Sequence, residues 1–411
     1  MKAAAICVAL GVFSVGAVGQ TTAPASSKAF GTRVTGLDGS GFVARLLSID
    51  KSKAVFSTPA GRRSVPCRDL LRIKFADPAD AMDTPGQGLL FLAEGRGLLA
   101  IETLSVRDGR VTVTSRLLGA ASLPLAAVAT IYLPRKDQLP AALKKIHQAI
   151  ELPRANKDFL FAEDKKRNLI PMPGILKSIA AGKVTFQVGA KDEAAPLTSV
   201  RVLQLARVAS QAGAPGGYLI GRDGSTVPFG SASLSAGKKT IAIGGGAIRA
   251  DAAPLSALAE VRFASDRCVW LSDLKPDKVN QAGLFDLYFP YRRDRSTAGR
   301  PIRLGGATYP KGLGLHSRCE LTYTVGAAYE SLSALAGIAP AGGKRGNALL
   351  KVLGDGNDLI EPIKLLGGAA PIPVRCKLAG VKTLTVLVDF GDDGTDVGDH
   401  VNLAEARLIK P

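Results

Sequence analysis

Between about Phe30 and Ser265 the chain repeats itself four times, and this self-similarity constrains the fold more than any other feature. Three landmarks recur in one order. The first is an acidic turn flanked by apolar residues: Gly36-Leu-Asp-Gly39, Leu92-Ala-Glu-Gly95, Phe161-Ala-Glu-Asp164 and Ile220-Gly-Arg-Asp-Gly224. Asp-Gly favours a tight hairpin because glycine accepts a positive φ; the third copy lacks the glycine. The second landmark is Ser48-Ile-Asp-Lys-Ser-Lys-Ala-Val-Phe56, echoed from Ser105, Ser178 and Ser233. It reads as strand, turn, strand, with apolar residues alternating after the turn. The third opens on a proline and ends on an apolar run: Pro66 to Phe75, Pro124 to Tyr132, Pro196 to Leu205 and Pro254 to Phe263. Proline lacks the N–H that a ladder needs, so it suits the turn before a last strand.

Each unit therefore reads as about five short strands, over residues 30–78, 87–135, 157–209 and 216–265. That strand order resembles small SH3-like or Sm-like barrels. Between the second and third units, Leu139, Leu143, Ile146 and Ile150 recur at helical spacing. A helix over 137–154 is expected there, joining two pairs of barrels. Barrels of this shape that bind single-stranded nucleic acid present aromatics on a basic face. Here Phe56, Phe75, Phe186 and Phe263 fall at inward strand positions, so nucleic acid is disfavoured and the repeats read as scaffold or protein-contact modules.

The chain opens with Met1-Lys2 and the apolar run Ala3 to Val18, ahead of Gly19. A positive start, a short apolar stretch and small residues predict a secretory leader over residues 1–19. The run is short for a membrane span, which needs about 20 apolar residues, and no later segment reaches that length without charges, so no span is expected after cleavage. A secreted, periplasmic or cell-envelope location follows. Aromatic residues make up only 5% of the chain, so its cores must be aliphatic. The formal charge is +18, of which about +3 falls from Trp270 onward. The basic part could attract an anionic polymer. After loss of Cys7 with the leader, Cys67, Cys268, Cys319 and Cys376 remain; four cysteines allow three connectivities. Cys319 and Cys376 both lie in strand-like runs of one domain and are the favoured disulfide, with free buried thiols as the alternative.

The landmarks stop near Cys268-Val-Trp270-Leu-Ser-Asp-Leu274. There follow Tyr309-Pro-Lys-Gly-Leu-Gly-Leu-His-Ser317, Leu332 to Ile338, Leu353-Gly-Asp-Gly356, Leu384 to Asp389, and Gly398-Asp-His-Val-Asn402 ahead of Ala404-Glu-Ala-Arg-Leu408. In this order, over residues 268–411, the motifs resemble the NPCBM family of carbohydrate-binding modules. The resemblance implies a galactose-binding-like jelly roll, so the whole chain is expected to be mainly β. Leu403 stands where the family usually has tryptophan.

A sugar site needs a flat apolar surface and a few fixed polar groups. His316 and His400 each lie beside a glycine-rich turn, where a loop can present them. With Asp399, Asn402, Tyr291 and Arg292 they form the candidate carbohydrate set; Tyr288 and Arg293 flank it. Asp399 and His400 could instead lock loops internally. Jelly rolls of this kind often hold a structural calcium ion near the last strand, which makes Glu405 and the acidic-loop residue Asp393 candidate ligands. No other cofactor is expected. No Gly-x-Ser-x-Gly elbow, His-Glu-x-x-His or P-loop occurs. The expectation is an exported, non-catalytic protein that recognises carbohydrate, of galactose type or an anionic polysaccharide. The alternatives are an envelope assembly protein without sugar binding, or a basic module for anionic polysaccharide.

Overall fold

The computed structural model describes residues 31–75, 88–93, 97–134, 157–164, 166, 168–206, 214–284 and 289–411. The expected leader, the expected helix over 137–154 and Tyr288 lie outside them. The described residues form strands joined by turns and short 3-10 segments, with no α-helix among them.

All four repeats are built alike. In the first, Thr32–Gly36 pairs with both Gly41–Ile49 and the closing strand Leu70–Lys74. Lys53–Thr58 and Gly61–Pro66 extend the middle of the unit as a hairpin. In every unit the opening strand pairs with the closing one across a single register shift. In every unit, too, a 3-10 turn follows the proline: Cys67–Asp69, Leu125–Ala127, Leu197–Ser199 and Leu255–Ala257. Alternation sends Val34, Phe56, Ile73 and their counterparts into one aliphatic core that runs through all four units.

The units associate by the edges of their closing strands, and the partners differ from those that chain order suggests. The first unit pairs with the fourth, Ile73 opposite Val261. The second pairs with the third, Ile131 opposite Leu203. Each of these four residues lies seven positions after its unit's landmark proline. The two contacts are therefore the same contact used twice, each centred on a local twofold. Antiparallel pairing of two equivalent edges satisfies both rows of free N–H and C=O groups at once.

Residues 268–411 form two facing sheets. One orders Arg292–Arg293, Gly312–His316, His400–Ile409, Ser331–Ile338 and Ile372–Lys377, with Cys268–Trp270 also on the last strand. The other orders Lys278–Gln281, Cys319–Thr324, Thr383–Phe390 and Asn347–Gly354. Leu313, Leu315, Leu321, Leu350, Val386, Val401 and Leu403 fill the space between. Leu403 is thus a core residue pointing away from the outer face.

The sandwich docks on the first repeat. Leu37 and Leu71 pack with Ile409, Cys268 and Trp270. Around them, Arg72 makes a two-pronged ion pair with Glu405, and Arg407 donates from Nε to the Leu37 carbonyl at 2.6 Å. Arg267 pairs with Asp69, and Arg375 donates to the Gly39 carbonyl. Gly39 is required here: its φ is +78° and a Cβ would lie 2.7 Å from Ser333 Oγ.

The expected Cys319–Cys376 bridge is absent. Cys319 and Cys376 sit on strands of opposite sheets, and all four described cysteines are free thiols.

Candidate functional site

The site lies on the outer face of the sheet that contains the last strand. His316 ends its strand and His400 begins the last one, and the two are partners in register. Their neighbours Leu315 and Val401 point into the core, so alternation turns both imidazoles outward. Phe289 packs over them, its ring 4.5 Å from His316 and 4.9 Å from His400, with the two imidazoles 4.6 Å apart. Phe289 is 46% exposed and supplies the apolar plane of this corner.

Each imidazole is oriented by a fixed partner. His316 Nδ1 lies 2.8 Å from the Ser317 carbonyl. A carbonyl only accepts, so Nδ1 carries the proton and Nε2 is left as an acceptor. His400 Nδ1 lies 2.8 Å from Thr297 Oγ1. Burial, with His316 beside it, holds the His400 pKa below the ordinary histidine value.

Two strand positions further along, Asn402 shares this outward face. It is buried at the floor of a groove of about 610 Å³, walled by residues 296–308 and 339–341. Its Nδ2 donates to the Arg303 carbonyl at 3.1 Å, which fixes the amide's orientation, while Oδ1 is buried without a hydrogen-bond partner. Gly314, opposite Asn402, lets the wall approach: a Cβ there would lie 2.4 Å from the Arg295 carbonyl. Arg292 holds the same wall by donating from Nε to the Thr297 carbonyl at 3.0 Å.

Residues 267–409 match the NPCBM/NEW2 domain. A protein of Renibacterium salmoninarum, provisionally named an endo-alpha-N-acetylgalactosaminidase, is 38% identical over 106 residues, 25% of this chain and 7% of that protein. The chain thus spans a small part of that relative's length. Among solved structures, the CBM51 of Clostridium perfringens GH95 with methyl-galactose is 24% identical, covering 34% of this chain and 99% of that one at a TM-score of 0.31. The CBM51-2 and INT domains of Clostridium perfringens ZmpB with GlcNAc are 20% identical, covering 44% of each chain at a TM-score of 0.32.

Within the NPCBM domain the expected site residues separate into three groups. His316, His400, Asn402 and Arg292 share the outward face. Asp399 does not join them: it is fully buried, its Oδ2 accepting from Ser317 Oγ at 2.6 Å and its Oδ1 from the Asn347 N–H at 2.8 Å. It locks two loops, and burial raises its pKa. Tyr291 packs its ring against the sandwich core instead of the groove.

The metal expectation does not fit the residues. Glu405 spends its carboxylate on Arg72 at the domain boundary, and Asp393 accepts from Thr395 in its own exposed turn. Among the described residues no three acidic, histidine or cysteine groups converge as a metal site. A calcium ion would need oxygen ligands gathered around one point.

Phe289, Thr297 and Arg300 were not singled out from the sequence. Phe289 stands next to Pro290-Tyr291, so its place in an aromatic-basic cluster was the available signal. Thr297 and Arg300 belong to a polar loop whose fold-back onto the sheet leaves no periodic trace.

Proposed function

We propose that this protein recognises carbohydrate through the outer face of its NPCBM domain, and that it does so as an exported, non-catalytic protein of the cell envelope or its surroundings. The observation that carries the reading is the juxtaposition, within a domain matching a carbohydrate-binding family, of an exposed ring over two oriented imidazoles with a groove floored by Asn402. Rings and prolines suit the C–H faces of a sugar, and fixed polar atoms suit its hydroxyls. The groove's volume suits one or two sugar units. Ser317 donates its hydroxyl to the buried Asp399 carboxylate, a contact that locks two loops beneath the site. The four repeats then serve as a scaffold that holds the domain.

The test is a glycan array with the full chain, neutral and acidic sugars side by side, at two salt concentrations. Binding that is lost in His316→Ala or Asn402→Ala, with unchanged circular dichroism, supports the site. Binding to no sugar, or binding indifferent to both substitutions, refutes it. The amino-terminal residue of the protein recovered from its native host tests export.

A further inference from the structure

The basic residues of the first repeat form an ordered file. Arg33 is opposite Val43, Arg45 follows two positions along the same strand, Arg45 is opposite Ser57, and Ser57 is opposite Arg62. Cross-strand partners and alternate residues share a face, so Arg33, Arg45 and Arg62 project from one side of one sheet. All three are exposed, and none is held in an ion pair among the described residues. Among the described residues no carboxylate lies between these three arginines; Glu260, opposite Lys74 on the neighbouring closing strand and paired with Arg262, bounds the face on its other side. Arg63, next along the strand, is on the opposite face, where it is stacked 4.1 Å over the ring of Phe42.

The file continues to the domain boundary. Arg33 is opposite Lys74, and Arg72 lies two positions from Lys74, so Arg72 belongs to the same face. Arg72 grips Glu405 of the NPCBM domain, and Tyr309 lies beside both. Tyr309 closes the short hairpin Ile302–Leu304 to Ala307–Tyr309, whose outward residues Arg303 and Thr308 wall the Asn402 groove. Arg300 completes that wall. Its main chain is pinned by Ser296, and its guanidinium stands at the rim with no partner among the described residues. Among its described lining residues the groove thus has the Arg300 guanidinium at its rim and no carboxylate, and it opens from the hairpin that meets the arginine face.

We infer that the docked pair forms one extended site for an acidic polysaccharide, a uronate-containing chain, with one sugar in the groove and its continuation over Arg33, Arg45 and Arg62. The inference rests on the carbohydrate reading above and adds the charge and length of the ligand. Guanidinium groups bind carboxylates through paired, charge-assisted hydrogen bonds. Arg45 and Arg62 lie two strand positions apart, about 10 Å, a separation that a linear polyanion can span. Single-stranded nucleic acid is the less suitable polymer, because the rings of Phe42 and Phe56 lie on the opposite, inner face and offer no stacking platform beside the arginines. Docking fixes the two halves relative to one another, so they act at high effective concentration.

The experiment is titration calorimetry of the full chain with methyl galacturonide, an oligogalacturonate of about ten units, and the neutral oligogalactoside of the same length. The uronate oligomer is expected to bind at least tenfold more tightly than the neutral one, and its affinity to fall with salt. Arg300→Gln should weaken both uronate ligands. The triple variant Arg33→Ser/Arg45→Ser/Arg62→Ser should weaken the oligomer at least tenfold and leave the monomer unchanged. Equal affinity for neutral and acidic oligomers, lost in Asn402→Ala, would overturn the acidic preference while leaving the carbohydrate reading intact. A triple variant that binds the oligomer normally would overturn the extended site. Binding of polyphosphate as tightly as the uronate, insensitive to Arg300→Gln, would reduce the file to an unspecific basic surface. Absence of binding to every sugar would overturn both readings.

Discussion

Replacement of Arg72 by methionine tests how the sandwich is held on the repeats. Arg72 and Glu405 make parallel hydrogen bonds across the boundary, Nη1 to Oε1 at 2.7 Å and Nη2 to Oε2, with side chains 18% and 8% exposed. The methionine side chain would keep the alkyl packing and leave a carboxylate beside the apolar patch of Leu37, Leu71 and Ile409. Removing one member of a buried pair costs about 3–5 kcal/mol, chiefly for the charge left behind. Water reaches part of the arginine, so the lower end, about 3 kcal/mol, is expected. The loss falls on docking and not on either core, because no residue of the two main cores is touched. Calorimetric melting should therefore split into two transitions, the NPCBM domain melting apart from the repeats. Glu405→Gln alone should also destabilise, but the double variant Arg72→Met/Glu405→Gln should recover at least half of the summed cost, since no unpaired charge remains. A loss below about 1 kcal/mol with a single transition would refute the reasoning, because that is the worth of a solvated surface pair.

Three further outcomes are expected. The His400 pKa is depressed in the folded state by burial and by His316, so its contribution to stability is complete above the unfolded value of about 6.5 and is lost as pH falls through the folded one; denaturant midpoints should drop over that limb, and His400→Gln should flatten it. Gly314→Ala puts a methyl 2.4 Å from the Arg295 carbonyl, and should cost about 1–3 kcal/mol of stability and abolish sugar binding by lifting the groove wall, read by melting and by the array. The thiols of Cys319 and Cys376 are pushed by burial up to about 12 and about 11, so neither should react with a thiol reagent in the folded protein, whereas unfolding without reductant should release both; a bridged pair would release none.

Much of the architecture could be read without coordinates because it is written in local periodicity. Apolar alternation and proline-led turns locate the strands of each repeat. They do so because a strand's two faces see different solvents whatever its neighbours are. The ordered motifs after Cys268 likewise place His316 and His400 at strand ends beside glycine-rich turns. Pairwise fates were less legible. Asp399 and His400 are adjacent, yet one turns inward to Ser317 and Asn347 and the other outward to Phe289 and Thr297. A period of two predicts opposite faces, but not which face meets partners from distant parts of the chain. Glu405 suits a cation by chemical type, and what it meets is the guanidinium of Arg72, 333 residues earlier.

By itself the sequence determined an all-β chain among the described residues, four equivalent units, a terminal NPCBM domain and the histidines of its outer face. Tertiary structure alone decided which repeats pair, since all four closing strands carry the same edge and the sequence does not rank one partner over another. It also decided where the last strand divides, with His400 and Asn402 at the groove and Glu405 and Arg407 on the first repeat. A positive φ of 50° at Glu405 marks that division, where the register with the neighbouring strand shifts. Such a choice depends on how surfaces from distant segments fit, and that fit exists only once both sheets and the repeats have folded.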